Sequence, residues 1–140
     1  MTCWLLDTGP LVAYLDPRDP AHRAAARQLE DFSGDLVTTS AVITEAMHFV
    51  AASRHGPSLL VRFVEASRLQ VYDFTQLGPL SDAAALMGRY ADIPMDFADA
   101  TLVLLAEQLR VLDVLTLDRR GFSAYRTRNR QALRLVLDVV

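Results

Sequence analysis

Lysine is missing from this chain of 140 residues: all fourteen basic side chains are arginine. A single cysteine, Cys3, excludes an internal disulfide and a cysteine-based zinc site. No apolar run reaches the roughly 18–20 residues that a membrane span needs. The N-terminus lacks a basic region followed by a long apolar stretch, so no secretory signal is expected. There is no glycine-rich phosphate loop, and nothing in the sequence suggests histidine chemistry. A cytosolic protein fits all of this. The net charge of −3 gives no general attraction to nucleic acid. What is plentiful is apolar residue, at 51%, enough to make disorder unexpected and to build a core. The length suits a single domain over residues 1–140.

The first informative stretch is Thr2-Cys3-Trp4-Leu5-Leu6-Asp7-Thr8-Gly9-Pro10. Trp4, Leu5 and Leu6 are too few and too uniformly apolar for an amphipathic helix, so they read as a buried strand that also takes Cys3 into the core. Thr8, Gly9 and Pro10 then start a helix, with Thr8 as N-cap and Pro10 near the first turn. Asp7 thus lies at the carboxyl end of a first strand, the edge of an open α/β sheet where ligands collect.

Strands and helices alternate beyond it. Asp16-Pro17-Arg18-Asp19-Pro20 is a loop, and residues 21–32 are helical, with Ala25, Leu29 and Phe32 recurring on one face. Leu36-Val37-Thr38 suits a second strand. Thr39-Ser40 caps a helix with Val42, Ala46, Phe49 and Val50 on its apolar face and Glu45 one turn in. After the break at His55-Gly56-Pro57, Ser58 to Ser67 form a short helix. Leu69 to Phe74 alternate as a strand. Gly78-Pro79 opens a helix to Tyr90, and Met95 to Ala100 lead into a strongly apolar helix ending near Leu109. Asp113 to Asp118 repeat the opening theme, an apolar strand ending in an acid, and Leu133 to Val140 read as a last strand. The alternation predicts an α/β fold with helices on both faces of a mostly parallel sheet.

Acids recur in apolar surroundings at four places: Asp7, Glu45, the pair Asp96/Asp99, and Asp118. Asp7 and Asp118 end predicted strands. Glu45, Asp96 and Asp99 lie near helix N-termini, which sit at the same sheet edge, and the spacing of three puts Asp96 and Asp99 on one face. Each has an ordinary structural reading: Asp96 as a helix cap, Asp7 as a helix-initiating residue, Glu45 as an exposed glutamate, Asp118 as a turn residue. Taken together, clustered carboxylates repel unless a cation neutralises them, and oxygen ligands of this type suit Mg²⁺ or Mn²⁺. Two such ions about 3.5–4 Å apart can activate water and stabilise a leaving oxygen in phosphodiester hydrolysis. Thr8 and Thr116 are candidates to orient a metal-binding aspartate, or else a cap and an ordinary strand residue. His48 reads as a packed or surface histidine. Arg119, Arg120, Arg126, Arg128, Arg130 and Arg134 crowd the C-terminal end, either as a solvated tail or as phosphate-pairing side chains.

The combination resembles the PIN-domain ribonucleases, and within them the VapC-like toxins of toxin–antitoxin pairs. Leu5-Leu6-Asp7-Thr8-Gly9-Pro10-Leu11, Thr39-Ser40-Ala41-Val42-Ile43-Thr44-Glu45, Met95-Asp96-Phe97-Ala98-Asp99-Ala100 and Thr116-Leu117-Asp118-Arg119-Arg120-Gly121-Phe122 carry it, in the family's order. The resemblance implies a three-layer α/β/α fold, metal-dependent endoribonuclease activity on an RNA substrate, an antitoxin partner, and often a homodimer. It implies Asp7 and Asp99 as the most direct metal ligands, Glu45 and Asp118 as the other catalytic and metal-binding acids, and Asp96 as an additional acid. Gly121 departs from the pattern, since related sequences often carry another aspartate there. The C-terminal arginines would then contact RNA phosphates or receive an acidic antitoxin segment. A receiver-type phosphoacceptor also has an aspartate after a strand but needs a lysine, which is absent. A haloacid-dehalogenase-type phosphatase needs a second aspartate where Gly9 stands. The non-enzymatic alternative is a PIN-like scaffold that binds RNA or protein without cutting.

Overall fold

The computed structural model describes residues 2–136. In chain order it runs β1 (Cys3–Leu6), α1 (Thr8–Leu15), α2 (His22–Asp31), β2 (Asp35–Thr39), α3 (Ser40–Val50), α4 (Gly56–Ser67), β3 (Gln70–Tyr72), α5 (Leu77–Arg89), α6 (Phe97–Leu109), β4 (Asp113–Leu115), α7 (Arg119–Ala124) and β5 (Arg134–Leu135). The five strands form one parallel sheet in the order β3-β2-β1-β4-β5. The order reverses between β1 and β4, so the crevice beyond their carboxyl ends is the topological switch point of the sheet.

The three central strands, β1, β2 and β4, are buried on both faces, and adjacent residues feed opposite cores. Leu5, Val37 and Val114 pack on one side with α5, α6 and α7. Leu6, Leu36 and Leu115 pack on the other with α1, α2 and α4. Helix α3 serves both layers, through Val42 on the first side and through Ala46 and Val50 on the second. Helix α6 is apolar all round, with Ala98, Ala100 and every residue from Thr101 to Ala106 buried, as a helix enclosed by its neighbours must be. The predicted three-layer α/β/α architecture is therefore the observed one.

Local boundaries differ from the sequence reading in ways that matter at the sheet edge. Asp7, not Thr8, is the N-cap of α1: its backbone is extended and its side chain accepts from the Thr8 N–H. Two adjacent residues were each able to cap, and only the strand register decides between them. The strand predicted from Asp113 to Asp118 stops at Leu115, because Asp118 turns away to cap α7. Helix α7 was not expected; six residues give too little periodicity to detect. Strand β3 is shorter than the predicted Leu69–Phe74. Within the predicted strand Leu133–Val140, Arg134 and Leu135 pair with β4, and residues 137–140 lie outside the described ones. Among the described residues no helix is long and apolar enough to cross a membrane.

Candidate active site

Asp7 is fixed at the switch point by the end of β4 and the start of α1. Its backbone N–H donates to the Leu115 carbonyl at 3.0 Å, extending the β1–β4 ladder by one residue. Its side chain is buried, with 7% of its surface exposed. Oδ1 accepts from the Thr8 N–H at 2.8 Å, and Oδ2 accepts from Thr116 Oγ1 at 2.7 Å. Thr116 Oγ1 in turn accepts from the Asp118 N–H at 2.9 Å. One hydroxyl thus orients Asp7 and holds the start of the next segment.

The other acids arrive as helix caps. Asp96 and Asp99 form a reciprocal capping box at the start of α6: Asp96 Oδ1 accepts from the Asp99 N–H at 2.8 Å, and Asp99 Oδ2 from the Asp96 N–H at 3.2 Å. Asp118 Oδ1 accepts from the Gly121 N–H at 3.0 Å. Gly121 is required for this contact, since a Cβ there would lie 2.3 Å from Asp118 Oδ2 and 2.9 Å from the Tyr125 hydroxyl. Three helix N-termini, of α1, α6 and α7, meet these carboxylates, and their partial positive charge offsets some of the repulsion.

Asp7, Glu45, Asp96, Asp99 and Asp118 all line one cleft of about 600 Å³. Residues more than 100 positions apart in sequence are brought together there, as the alternation of strands and helices predicted. Glu45, on α3, is half-buried, and it alone among the described acids of the cleft has no hydrogen-bond partner. The crowding shows in the proton affinities. Burial, and then the charges of Asp96 and Glu45, push Asp7 up to about 6 against the hydrogen bonds from Thr116 and Thr8. Burial, followed by the charges of Asp7 and Asp96, pushes Asp99 up to about 8.

Two cleft residues were missed from sequence. Asp19 reaches the cleft from the α1–α2 loop, where it also caps Ala21 through a 2.8 Å bond; nothing in a proline-rich loop marks it. Phe49 lines the cleft four residues after Glu45, a spacing that was visible, but it was assigned to the buried face of α3 and is exposed. Thr8 also lines the cleft, but it contributes to Asp7 through its N–H rather than its hydroxyl. His48 lies on the surface, one of the two readings given for it, and is not among the residues that line the cleft. The C-terminal arginines are largely committed within the fold. Arg128 pairs with Glu107 and Asp82, Arg134 with Asp113 at 2.6 Å, and Arg126 donates to the carbonyls of Ser123 and Tyr125.

The donor set fits a hard divalent cation by its chemistry. The cleft offers oxygen ligands, burial and then neighbouring charge raise the proton affinity of Asp7 and Asp99 as an unneutralised acidic site must, and Thr8 Oγ1 is buried in its wall without a hydrogen-bond partner. Among the described residues no three acids, histidines or cysteines are drawn together as a ready-made metal cage. An ion that keeps several waters and takes one or two carboxylates directly does not need such a cage.

The sequence model of the PIN domain matches residues 4–127, the span that contains all of these acids. The chain belongs to the PIN-domain family. Within it, the chain is 32% identical over 124 residues to Ribonuclease VapC26 of Mycobacterium tuberculosis, covering 87% of this chain and 91% of that one. Two solved PIN-domain structures share its fold. VapC20 of Mycobacterium tuberculosis, a sarcin-ricin loop cleaving toxin, superposes with a TM-score of 0.74 at 15% identity, over 84% of this chain and 91% of that one. VapBC2 from Rickettsia felis, bound to a DNA fragment from its promoter, gives 0.62 at 15% identity, over 96% and 98%.

Proposed function

We propose that this PIN-domain protein is a metal-dependent endoribonuclease that hydrolyses RNA phosphodiester bonds as the toxin of a toxin–antitoxin pair. The observation that carries the reading is the cleft itself: five of its six carboxylates, from four distant segments, are the acids the sequence singled out, and they converge at the switch point of a parallel sheet. The similarity to a VapC ribonuclease over most of the chain supports the same reading.

In this reading Asp7 and Asp99 hold Mg²⁺ or Mn²⁺ most directly, with Asp96, Glu45 and Asp118 completing the acidic set. The ion supplies what carboxylates cannot, a lowered pKa for the attacking water and positive charge against the phosphoryl oxygens. The chain's own groups do the rest. Thr116 and the Thr8 N–H fix both oxygens of Asp7, so that carboxylate has little freedom to lose on binding. Asp99 must give up its proton to take its place as a ligand. Glu45, whose carboxylate has no hydrogen-bond partner among the described residues, would accept the proton of the attacking water. The scaffold alternative has no observation in its favour, since every acid it would have lost is present in the cleft.

The partners follow from the same reading. They are an RNA substrate, a cognate antitoxin protein and a second copy of the chain, in a cytoplasmic setting, with residues 1–140 acting as one domain. Solved relatives of the same fold are toxin–antitoxin complexes, including one from Salmonella typhimurium bound to DNA. The test is cleavage of total cellular RNA by the purified protein with Mg²⁺ or Mn²⁺, beside EDTA and Asp99→Asn controls. Discrete cuts that vanish in both controls are expected. Equal cutting by the Asp99→Asn variant, or none by a folded parent protein, would reject the reading.

A further inference from the structure

Ten of the eleven aromatic side chains are buried or half-buried, and Phe49 alone stands out in solvent, with 56% of its surface exposed. It belongs to neither of the two apolar cores, and its one ring contact is edge-on to the exposed His48 at 5.8 Å. Its position is not arbitrary. It lines the acidic cleft, one helical turn beyond Glu45 and on the same face of α3. An exposed phenylalanine elsewhere on a surface needs no explanation, but this one borders the candidate chemistry.

The cleft raises a second question, how a polyanion is held there. Its described wall carries six carboxylates and no arginine, and the chain has no lysine. The phosphate contacts that dominate most nucleic-acid binding are therefore not supplied by the wall. Val12 and Leu117 add apolar surface but no aromatic face. A nucleobase is the uncharged part of RNA, and every base can stack on an aromatic ring whatever its identity.

We infer that Phe49 is a stacking platform that positions a nucleobase of the RNA next to the bond being cut. The inference rests on the ribonuclease reading and adds to it the group that places the substrate. Phe49 is a positioning residue and takes no part in bond breaking. An apolar side chain of a protein partner is the competing occupant of the same ring.

The test uses the full chain carrying Asp99→Asn, so that the probe stays intact. The probe is a fluorescent eight-nucleotide single-stranded oligoriboadenylate, together with a series in which each nucleotide in turn lacks its base. Phe49→Leu keeps the apolar bulk but has no aromatic face. It is expected to weaken binding about tenfold, within the range of base–aromatic stacking, whereas Phe49→Trp retains affinity. One abasic position is expected to cost the Phe49-containing protein the same factor and to cost the Phe49→Leu protein almost nothing. A purely structural role of Phe49 cannot produce that dependence on a single base. Equal affinity of the Phe49→Leu and Phe49-containing proteins, or equal losses at every abasic position, would overturn the inference and leave Phe49 to a protein partner. The ribonuclease reading fails separately, if the chain with Asp99 intact cuts no RNA in the metal-dependent assay.

Discussion

Neutralising Asp7 is expected to stabilise the metal-free protein at neutral pH, although the residue caps a helix. Burial lifts the Asp7 carboxyl from 3.8 to about 6 in the folded state. A displacement of about two pH units corresponds to about 3 kcal/mol. A raised acid pKa means that the fold favours the protonated form. Its contribution to stability is full below about pH 4 and is lost as pH rises through about 6. Asp7→Asn removes that loss. It has its own cost, because Thr8 N–H needs the remaining side-chain oxygen, so the amide nitrogen faces Thr116 Oγ1, which then has no acceptor for its proton. One such hydrogen bond is worth about 1 kcal/mol. The net gain is about 2 kcal/mol above pH 7, turning into a small loss below roughly pH 4.5. For a chain of this size that is a rise in Tm of roughly 8 °C. The assay is thermal or urea unfolding of both proteins in EDTA from pH 4 to 8. The decline in stability that Asp99 causes at higher pH should also weaken in the variant, since the Asp7 charge is the second cause of its raised pKa. An Asn variant no more stable than the parent at pH 7.5 would refute the reasoning, because it would mean that the ionised Asp7 is adequately solvated.

Other expectations follow from the same contacts. Thr116→Val should lower Mn²⁺ affinity and cleavage roughly 10–100-fold, and Thr116→Ser should restore both, as read by calorimetric titration and RNA cleavage. Stripped protein should gain more Tm from Mn²⁺ at pH 8 than at pH 6, with proton release on binding, because Asp7 and Asp99 must ionise at about 6 and about 8; a pH-independent gain would contradict this. Gly121→Ala should dislodge Asp118 from its cap and cost about 1 kcal/mol in urea unfolding. Arg134→Ala, which breaks an exposed pair with Asp113, should change stability by less than about 1 kcal/mol and leave the salt dependence of RNA binding unaltered.

Much of the site was legible because its parts are punctuation. An apolar run that stops at an acid is readable at Asp7, and the Asp96/Asp99 spacing is readable as one helical face. Their convergence followed from a rule about parallel sheets. What stayed hidden depends on tertiary pairing. The arginines of the C-terminal end looked available because Glu107 and Asp82, which engage Arg128, lie far upstream. Phe49 fitted the apolar pattern of α3, and only the packing of its neighbours shows that this position turns outward. The choice between Asp7 and Thr8 as cap, and the turn of Asp118 into α7, were settled by strand register, which periodicity does not encode.

The hydroxyl of Thr116 has a consequence for when the site exists. It joins an aspartate from the first strand to the segment after the fourth, 109 residues later. During synthesis the first half of the chain can fold onto itself, but Asp7 has neither its oriented carboxylate nor its companion Asp118 until β4 has emerged and slid in beside β1. The cleft is thus among the last features to form. A chain interrupted between Asp99 and β4 carries Asp7, Glu45 and Asp99 without the strand and the hydroxyl that join Asp7 to Asp118.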